Sequence, residues 1–100
     1  MPLVVEANYP APFTSNKMFY VYILQSKKTG EIYIGCSSDL KKRFLQHNSG
    51  SELATRKSYP WNLVYYEAYS TQKLALKREH NLKHYGKSLA MLKKRIGLEM

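Results

Sequence analysis

A small α+β domain, in which three helices flank a three-stranded, mostly antiparallel sheet, is the fold that the sequence predicts. Runs of β-branched and aromatic residues at 19–25, 32–36 and 62–69 indicate the strands, and a glycine-containing turn joins the first two. Capping residues and terminating glycines indicate the helices. The chain has 100 residues, which is enough for one domain with a single modest core.

The first two strands are expected to form a hairpin. Residues 19–25, FYVYILQ, and residues 32–36, IYIGC, have the composition that favours extended backbone. Between them lies SKKTGE, a turn in which Gly30 is free to adopt a positive φ. The register of the hairpin stays open at this point, and it matters because a shift of one residue moves a side chain to the other face of the sheet.

The remaining elements follow from capping signals. The first helix is expected to run from Asp39 to about Asn48, with Ser38 as its N-cap. After it come a polar loop at 49–60, a strand at 62–69, a helix from a Thr71 N-cap to about Tyr85, and a short helix at 87–96. Gly86 is expected to end the second helix and Gly97 the third.

The amino-terminal residues form no predicted element. Residues 1–17 contain three of the four prolines of the chain, so we expect a loose or disordered extension followed by one domain at 18–97. A secretory signal is not recognisable, and no apolar run approaches the roughly 18 residues of a membrane span. One cysteine, Cys36, excludes an internal disulfide framework and a cysteine-based zinc site. We therefore expect a cytoplasmic, monomeric protein without membrane contact.

The charge of the chain favours nucleic acid as its partner. Lys and Arg number 16 against 7 Asp and Glu, for a formal net charge of +9. Between Thr71 and Arg95 the chain carries eight basic residues and a single acid, Glu79. Such a surface concentrates polyanions and speeds their encounter. We predict DNA as the favoured partner; the predicted contacts are Lys83, Lys87, Lys93 and Lys94. A merely solvated basic face is the alternative.

A group of polar side chains is expected to face the sheet from the first helix. At 100° per residue, Arg43 and His47 flank the apolar stripe that contains Leu40 and Phe44. They would therefore point toward the strands that carry the tyrosines. A packed histidine and an arginine at the edge of a core are the structural alternative.

Five sequence features in a fixed order resemble the GIY-YIG nuclease superfamily, in particular its small single-domain UPF0213 branch. The second tyrosine of YVY lies eleven residues before the tyrosine of YIG, the arginine ten residues later and the histidine four further on. The features are YVY ending at Tyr22, YIG beginning at Tyr33, Arg43 with His47, PWNLVY after Thr55, and ALKREHNLK at 75–83. Two departures stand out. Tyr20 replaces the first glycine of GIY, and no asparagine follows Asn81.

The resemblance implies a role for each matching residue. Tyr22 corresponds to the tyrosine that activates the attacking water, and Tyr33 to a second active-site tyrosine. Arg43 and His47 correspond to the pair that contacts the reacting phosphate and assists the tyrosine. Glu79 corresponds to the carboxylate that holds one divalent metal, Mg²⁺ or Mn²⁺. We expect these five residues to meet in one shallow cleft.

The resemblance and the charge together predict a metal-dependent endonuclease that hydrolyses phosphodiester bonds in DNA, or alternatively in RNA. A cation beside a tyrosine is expected to favour its phenolate and so help it to act as a base. Exposed aromatic residues such as Tyr20, Tyr59 or Trp61 would suit single-stranded or structured substrates, because aromatic rings stack on unpaired bases. For Trp61 a core position at the start of the third strand is the favoured alternative. Two other classes remain open: a non-catalytic nucleic-acid-binding module on the same fold, and a protein-interaction domain in which the polar residues are structural.

Overall fold

The computed structural model describes residues 17–98, and within them the predicted fold class is confirmed. The extension predicted at residues 1–17 lies outside the described part of the chain, apart from Lys17. The strands are β1 (Phe19–Ser26), β2 (Ile32–Ser37) and β3 (Trp61–Tyr69). The helices are α1 (Leu40–Asn48), α2 (Gln72–His84) and α3 (Gly86–Ile96), and a short 3₁₀ helix (Arg56–Ser58) lies in the loop before β3.

The sheet has the order β2-β1-β3, and both strand pairs are antiparallel. The β1–β2 turn uses Gly30 at φ 81°, and the Gly30 amide donates to the Ser26 carbonyl over 3.0 Å. This turn sets a register in which Tyr22 lies opposite Gly35 and Leu24 opposite Tyr33. Because paired residues and residues two apart share a face, Tyr22 and Tyr33 point to the same side of the sheet.

Helices cover both faces of the sheet, and the two sides have different cores. On one side the aliphatic residues of β1 and β2 pack against α2 and α3, in a core formed by Val21, Ile23, Ile34, Ala75, Leu82 and Leu92. On the other side α1 covers a mainly aromatic cluster formed by Tyr22, Leu24, Trp61, Tyr33, Leu40 and Phe44. Within residues 17–98, no helix is both long enough and apolar enough to span a membrane.

Two predicted helix ends differ from the structure. Asp39, rather than Ser38, is the N-cap of α1, and its carboxylate accepts a hydrogen bond from the Lys42 amide over 3.1 Å. Asp39 therefore satisfies an amide that would otherwise have no partner in the first turn. Gly86 does not end α2 in a left-handed conformation. The chain leaves the helix at Tyr85, with φ −118° and ψ 96°, and Gly86 is the first residue of α3.

The other caps agree with the sequence. The Thr71 hydroxyl accepts from the Leu74 amide over 3.2 Å and begins α2. At the end of α3, Gly97 is left-handed at φ 75°, and the Leu98 amide donates to the Lys93 carbonyl over 2.9 Å. A residue without Cβ is favoured in that conformation, so Gly97 ends the helix as predicted.

Candidate active site

Tyr22 and Tyr33 form the floor of the candidate site, on the face of the sheet that α1 covers. Their ring centroids are 6.5 Å apart. The Tyr22 ring lies directly on Gly35, where an added Cβ would stand 2.4 Å from both Cζ and the hydroxyl oxygen. That separation is shorter than any real contact of a Cβ atom. Gly35 is therefore the residue that allows the Tyr22 side chain to lie flat across β2.

His47 reaches this floor from the last turn of α1. It is fully buried, and its Nε2 lies 3.0 Å from the Tyr22 hydroxyl. The centroid of its ring is 4.8 Å from that of Tyr33. The other ring nitrogen, Nδ1, lies 2.9 Å from the hydroxyl oxygen of Thr55. The imidazole thus joins the strand tyrosine to the loop before β3 in one buried hydrogen-bonded chain.

Burial determines the protonation of this pair. Desolvation raises the pKa of Tyr22 to about 12, although a hydrogen bond and positive charge from Arg43 act in the opposite direction. Arg43 does favour the phenolate, as expected of a nearby cation, but burial has the larger effect and the net pKa of Tyr22 is raised. Burial, with a further contribution from Arg43, lowers the pKa of His47. At neutral pH both groups are uncharged.

Arg43 stands beside the Tyr22 hydroxyl but is already engaged by other residues. Its Nη1 donates to the Gln46 side-chain oxygen over 2.9 Å and to a carboxylate oxygen of Glu52 over 3.0 Å. Both side chains of the ion pair are about one-third exposed, at 30% for Arg43 and 32% for Glu52. An incoming anion can therefore reach the guanidinium by exchanging with Glu52 rather than by entering the core.

Glu79 and Lys83 approach the site from α2. Lys83 Nζ lies 6.0 Å from the centroid of the Tyr33 ring, at the β2 edge of the sheet, and 3.2 Å from a carboxylate oxygen of Glu79. The negative charge of Glu79 also contributes to the raised pKa of Tyr22. The charge of Glu79, the predicted metal carboxylate, thus acts on the Tyr22 hydroxyl, and Glu79 makes the i,i+4 ion pair that is its simple structural role.

The donors near Tyr22 fit a hard cation that is bound weakly by the protein. Glu79 supplies carboxylate oxygens, which are the protein donor type that Mg²⁺ prefers. Among residues 17–98 no group of three or more His, Cys, Asp or Glu side chains could hold a metal. The arrangement therefore fits one cation held by Glu79, with water and substrate as its other ligands, and does not fit a closed protein cage.

The candidate site is not the shallow cleft that the sequence predicts, because its central side chains are buried. Tyr22 is 1% exposed and His47 0%. A groove of about 550 Å³ lies instead beside the first turn of α1, where Tyr20 and Tyr66 line it with their ring centroids 5.9 Å apart. Substrate must therefore displace a side chain before it can touch the Tyr22 hydroxyl.

The other residues predicted to contact nucleic acid are distributed around the molecule. Lys83 belongs to the site, whereas Lys87, Lys93 and Lys94 lie on α3, on the opposite side of the sheet from α1. Trp61 is 3% exposed and donates from Nε1 to the Thr55 carbonyl over 3.0 Å, so it occupies the core position favoured for it and does not stack on bases. Tyr59 is 48% exposed.

Sequence reasoning assigned no role to two residues that touch the site. Glu52 pairs with Arg43, and Thr55 contacts His47. Both lie in the loop at 49–60, where no helical or strand period indicates which side chains turn inward. Thr55 does belong to the stretch that resembles the GIY-YIG superfamily, and that was the available signal.

The sequence of this chain is similar to those of known proteins. A profile of the GIY-YIG catalytic domain matches residues 18–96. A UPF0213 protein of Staphylococcus saprophyticus is 38% identical over 69 residues, covering 68% of this chain and 83% of that protein. One of Haloquadratum walsbyi is 37% identical over 71 residues, covering 70% and 79%. The solution NMR structure of a UPF0213 protein from Bacillus halodurans has 33% identity, covers 76% of this chain and 85% of its own, and has a TM-score of 0.47.

The match to the family profile spans most of the chain and contains every residue of the candidate site from Tyr22 to Glu79. The GIY-YIG domain is a nuclease-type fold. This chain belongs to the GIY-YIG family, among the UPF0213 proteins.

Proposed function

We propose that the protein is a divalent-metal-dependent endonuclease that hydrolyses phosphodiester bonds in DNA. The observation that carries the proposal is the buried hydrogen bond between the Tyr22 hydroxyl and His47 Nε2, with the Arg43 guanidinium beside it. A phosphodiester hydrolase needs a proton acceptor for the attacking water and positive charge at the phosphate. These three side chains supply both functions within one family of nuclease-type domains.

Tyr22 and His47 act together as the base. A phenol with a pKa of about 12 is protonated at neutral pH, so Tyr22 is not a phenolate before the reaction begins. It can accept a proton from water only while it passes its own proton to an acceptor. Neutral His47 offers Nε2 at 3.0 Å, and the proton moves from the Tyr22 oxygen to that nitrogen as the water attacks phosphorus.

Arg43 binds the phosphate by exchanging one anion for another. In the free protein Glu52 occupies its Nη1. A phosphate offers two oxygens to the planar guanidinium and binds it more specifically than a single carboxylate oxygen does. Exchange with Glu52 brings the substrate to the side of Tyr22 and moves aside one of the groups that close the site.

Glu79 would hold the metal, Mg²⁺ or Mn²⁺. A bound cation supplies charge stabilisation to the oxygens that become negative during hydrolysis. Lys83 neutralises the Glu79 carboxylate in the free protein, over 3.2 Å. With a cation held by Glu79, Lys83 would be free to contact the substrate backbone next to Tyr33.

The groove that contains Tyr20 and Tyr66 favours substrates with unpaired bases. Tyr66 is 53% exposed, and the two rings are 5.9 Å apart. Stacking on aromatic rings tolerates any base sequence. Single-stranded or branched DNA is therefore the preferred substrate class, and RNA is the second.

A second candidate is a nucleic-acid-binding module that does not cut. The near-complete burial of Tyr22 and the ion pair between Glu79 and Lys83 favour it, since both keep the reacting groups occupied. The two candidates share a fold and a charge. They differ in whether the site opens when DNA and metal are present together.

The test is incubation of the purified protein with end-labelled single- and double-stranded DNA and RNA, with Mg²⁺ or Mn²⁺ and with EDTA. We expect metal-dependent cutting of DNA that Glu79→Gln abolishes. Glu31→Gln is the matched control, because it makes the same change in the β1–β2 turn and keeps an oxygen that accepts from the Ser58 hydroxyl. Binding without cutting in every condition would favour the second candidate, and cutting that survives EDTA would contradict the role of Glu79.

A further inference from the structure

Thr55 carries a buried hydroxyl, and hydrogen bonds of its backbone, rather than of its side chain, fix the position of the residue. It is 1% exposed, in the loop between α1 and β3. Its amide donates to the Glu52 carbonyl over 3.2 Å, and its carbonyl accepts from the Ser58 amide and from Trp61 Nε1 over 3.2 and 3.0 Å. Three hydrogen bonds to the amide and carbonyl of Thr55 therefore hold the residue in place. The hydroxyl is free to serve His47, at 2.9 Å from Nδ1.

The direction of the hydrogen bonds follows from what each partner can donate. Arg43, whose positive charge acts on the Tyr22 hydroxyl, is a donor only and offers that hydroxyl no acceptor. The hydrogen of the Tyr22 hydroxyl must then point to an acceptor, and His47 Nε2 lies 3.0 Å away. A neutral imidazole that accepts at Nε2 carries its hydrogen on Nδ1. That hydrogen is donated to the Thr55 hydroxyl oxygen.

We infer that Thr55 is a positioning residue, which holds His47 in the tautomer with hydrogen on Nδ1 and so keeps Nε2 available for the proton of Tyr22. The inference rests on the proposed function, in which His47 receives that proton. Which nitrogen of a histidine is protonated depends on the hydrogen bond that the other nitrogen makes. The arrangement of a proton acceptor oriented by a third group is the one that activates hydroxyl nucleophiles in other enzymes.

Loss of the Thr55 hydroxyl would release this choice of tautomer. Nδ1 would then have a buried hydrogen with no acceptor, and moving that hydrogen to Nε2 would relieve the cost at Nδ1 while taking the acceptor away from Tyr22. In that tautomer Nε2 donates to Tyr22 instead of accepting from it. The Tyr22 proton would have no acceptor, and the water could not be activated.

The first measurement needs no substitution. In the ¹⁵N-labelled full-length protein, nitrogen shifts and long-range proton–nitrogen correlations report which nitrogen of each histidine carries hydrogen. We expect hydrogen on Nδ1 of His47, and the exposed His80 and His84 serve as internal references. Hydrogen on Nε2 of His47 in the unaltered protein would overturn the inference.

The second measurement compares substitutions in the same loop. Thr55→Val keeps the shape and removes the hydroxyl; we expect a shift of His47 toward the Nε2–H tautomer and a fall in kcat on the order of 10- to 100-fold, with KM unchanged. Thr55→Ser should restore both. Ser58→Ala is the control for losing a buried hydroxyl that does not touch His47, and it should change neither the tautomer nor kcat.

The outcomes separate the inference from the proposed function. An unchanged tautomer in Thr55→Val, or a changed tautomer with full activity, overturns the positioning role while the nuclease activity stands. If the unaltered protein cuts nothing, the proposed function fails, and the positioning role, which rests on it, is overturned with it. If Thr55→Val does not fold, the tautomer of His47 in the unaltered protein and in Thr55→Ser is the test. Hydrogen on Nδ1 is expected in both proteins, and hydrogen on Nε2 in either one would overturn the inference.

Discussion

The two faces of strand β1 bury different kinds of side chain. Val21 and Ile23 point toward α2 and α3 and belong to an aliphatic core. Tyr22 and Leu24 alternate with them and point toward α1. The α1 face buries a hydroxyl and an imidazole where the other face buries only hydrocarbon side chains in its cluster.

The difference indicates which face of the sheet contributes less to the free energy of unfolding. Burying polar groups is costly unless each one is hydrogen-bonded, whereas burying aliphatic groups is favourable by itself. In the described part of the chain every buried side-chain nitrogen and oxygen has a hydrogen-bond partner. The α1 face therefore tolerates its polar network without gaining from it as the aliphatic face gains from its core. The chemical role that we propose for Tyr22 and His47 would explain why the network is there.

Removal of the Tyr22 hydroxyl should give the largest effect. Tyr22→Phe keeps the ring on Gly35 but deletes the group that receives the proton of water. We expect cleavage to fall on the order of 10²- to 10⁴-fold, which gel assays of labelled DNA would measure. The variant also leaves His47 Nε2 without its donor, so the free energy of unfolding should fall by about 1–3 kcal/mol.

The neighbouring residue on the other face is the control. Ile23 is fully buried, and Ile23→Val should lower the free energy of unfolding by about 0.5–1.5 kcal/mol while cleavage of DNA stays normal. The two variants alter adjacent residues of one strand. Equal loss of cleavage in both would mean that the two faces do not divide fold and chemistry.

A methyl group added at Gly35 should disturb the α1 face alone. In Gly35→Ala the new Cβ would stand 2.4 Å from the Tyr22 hydroxyl, and the ring would have to move. We expect a loss of about 1–3 kcal/mol in the free energy of unfolding, measured by chemical denaturation. Gly86→Ala is the matched control, since a Cβ there meets nothing within 4 Å. A Gly35→Ala protein as stable as the parent would contradict the position of the Tyr22 ring.

Acid should destabilise the two faces in different pH ranges. The lowered pKa of His47 means that the unfolded chain binds a proton first, so its contribution is present above about pH 6.5 and is lost as pH falls through the folded pKa. The slope is at most about 1.4 kcal/mol per pH unit. On the other face, hydrogen bonds from Arg78 lower the pKa of Glu67 against the opposing effect of burial, so that loss begins only below about pH 4.3.

Denaturation curves between pH 7.5 and 5 would measure the contribution of His47 separately. His47→Gln should remove the pH dependence in that range, and His80→Gln, at an exposed position, should keep it. A slope that persists in His47→Gln would assign the acid sensitivity to another group.

Much of the fold was predictable because it follows from local patterns. The hairpin around Gly30 and the helix ends at Thr71 and Gly97 depend on a few neighbouring residues. The errors at Ser38 and Gly86 have the same origin. Each lies one residue from the true cap, and capping propensities hardly distinguish adjacent Ser and Asp.

The site was predictable only in part. Periodicity placed Arg43 and His47 toward the sheet, and the order of motifs indicated Tyr22 and Tyr33. Burial of Tyr22 depends on how α1 lies over the sheet, which is a tertiary property. The loop that brings Glu52 and Thr55 to the site has no repeating pattern from which such contacts could be predicted.

The smallest effect is expected from the lysines of α3, which lie on the side of the sheet away from α1. Lys87→Gln, Lys93→Gln and Lys94→Gln in one protein should weaken DNA binding and flatten the plot of log affinity against log salt, by up to about 0.9 for each phosphate that the protein no longer neutralises. Gln is chosen because an acid in the last turn of α3 would also oppose the helix dipole. The measurement is a salt titration of binding by fluorescence anisotropy.

The matched control replaces three other exposed lysines, which lie outside α3: Lys27, Lys28 and Lys57. It changes the net charge by the same amount, so a general electrostatic effect would appear equally in both proteins. A flatter slope only in the α3 variant would mean that DNA extends around the molecule from the α1 face to the α3 face. Equal slopes in the α3 variant and in the control variant would mean that DNA contacts the α1 face and not α3. The aliphatic side of the sheet would then contribute to the fold and not to DNA binding.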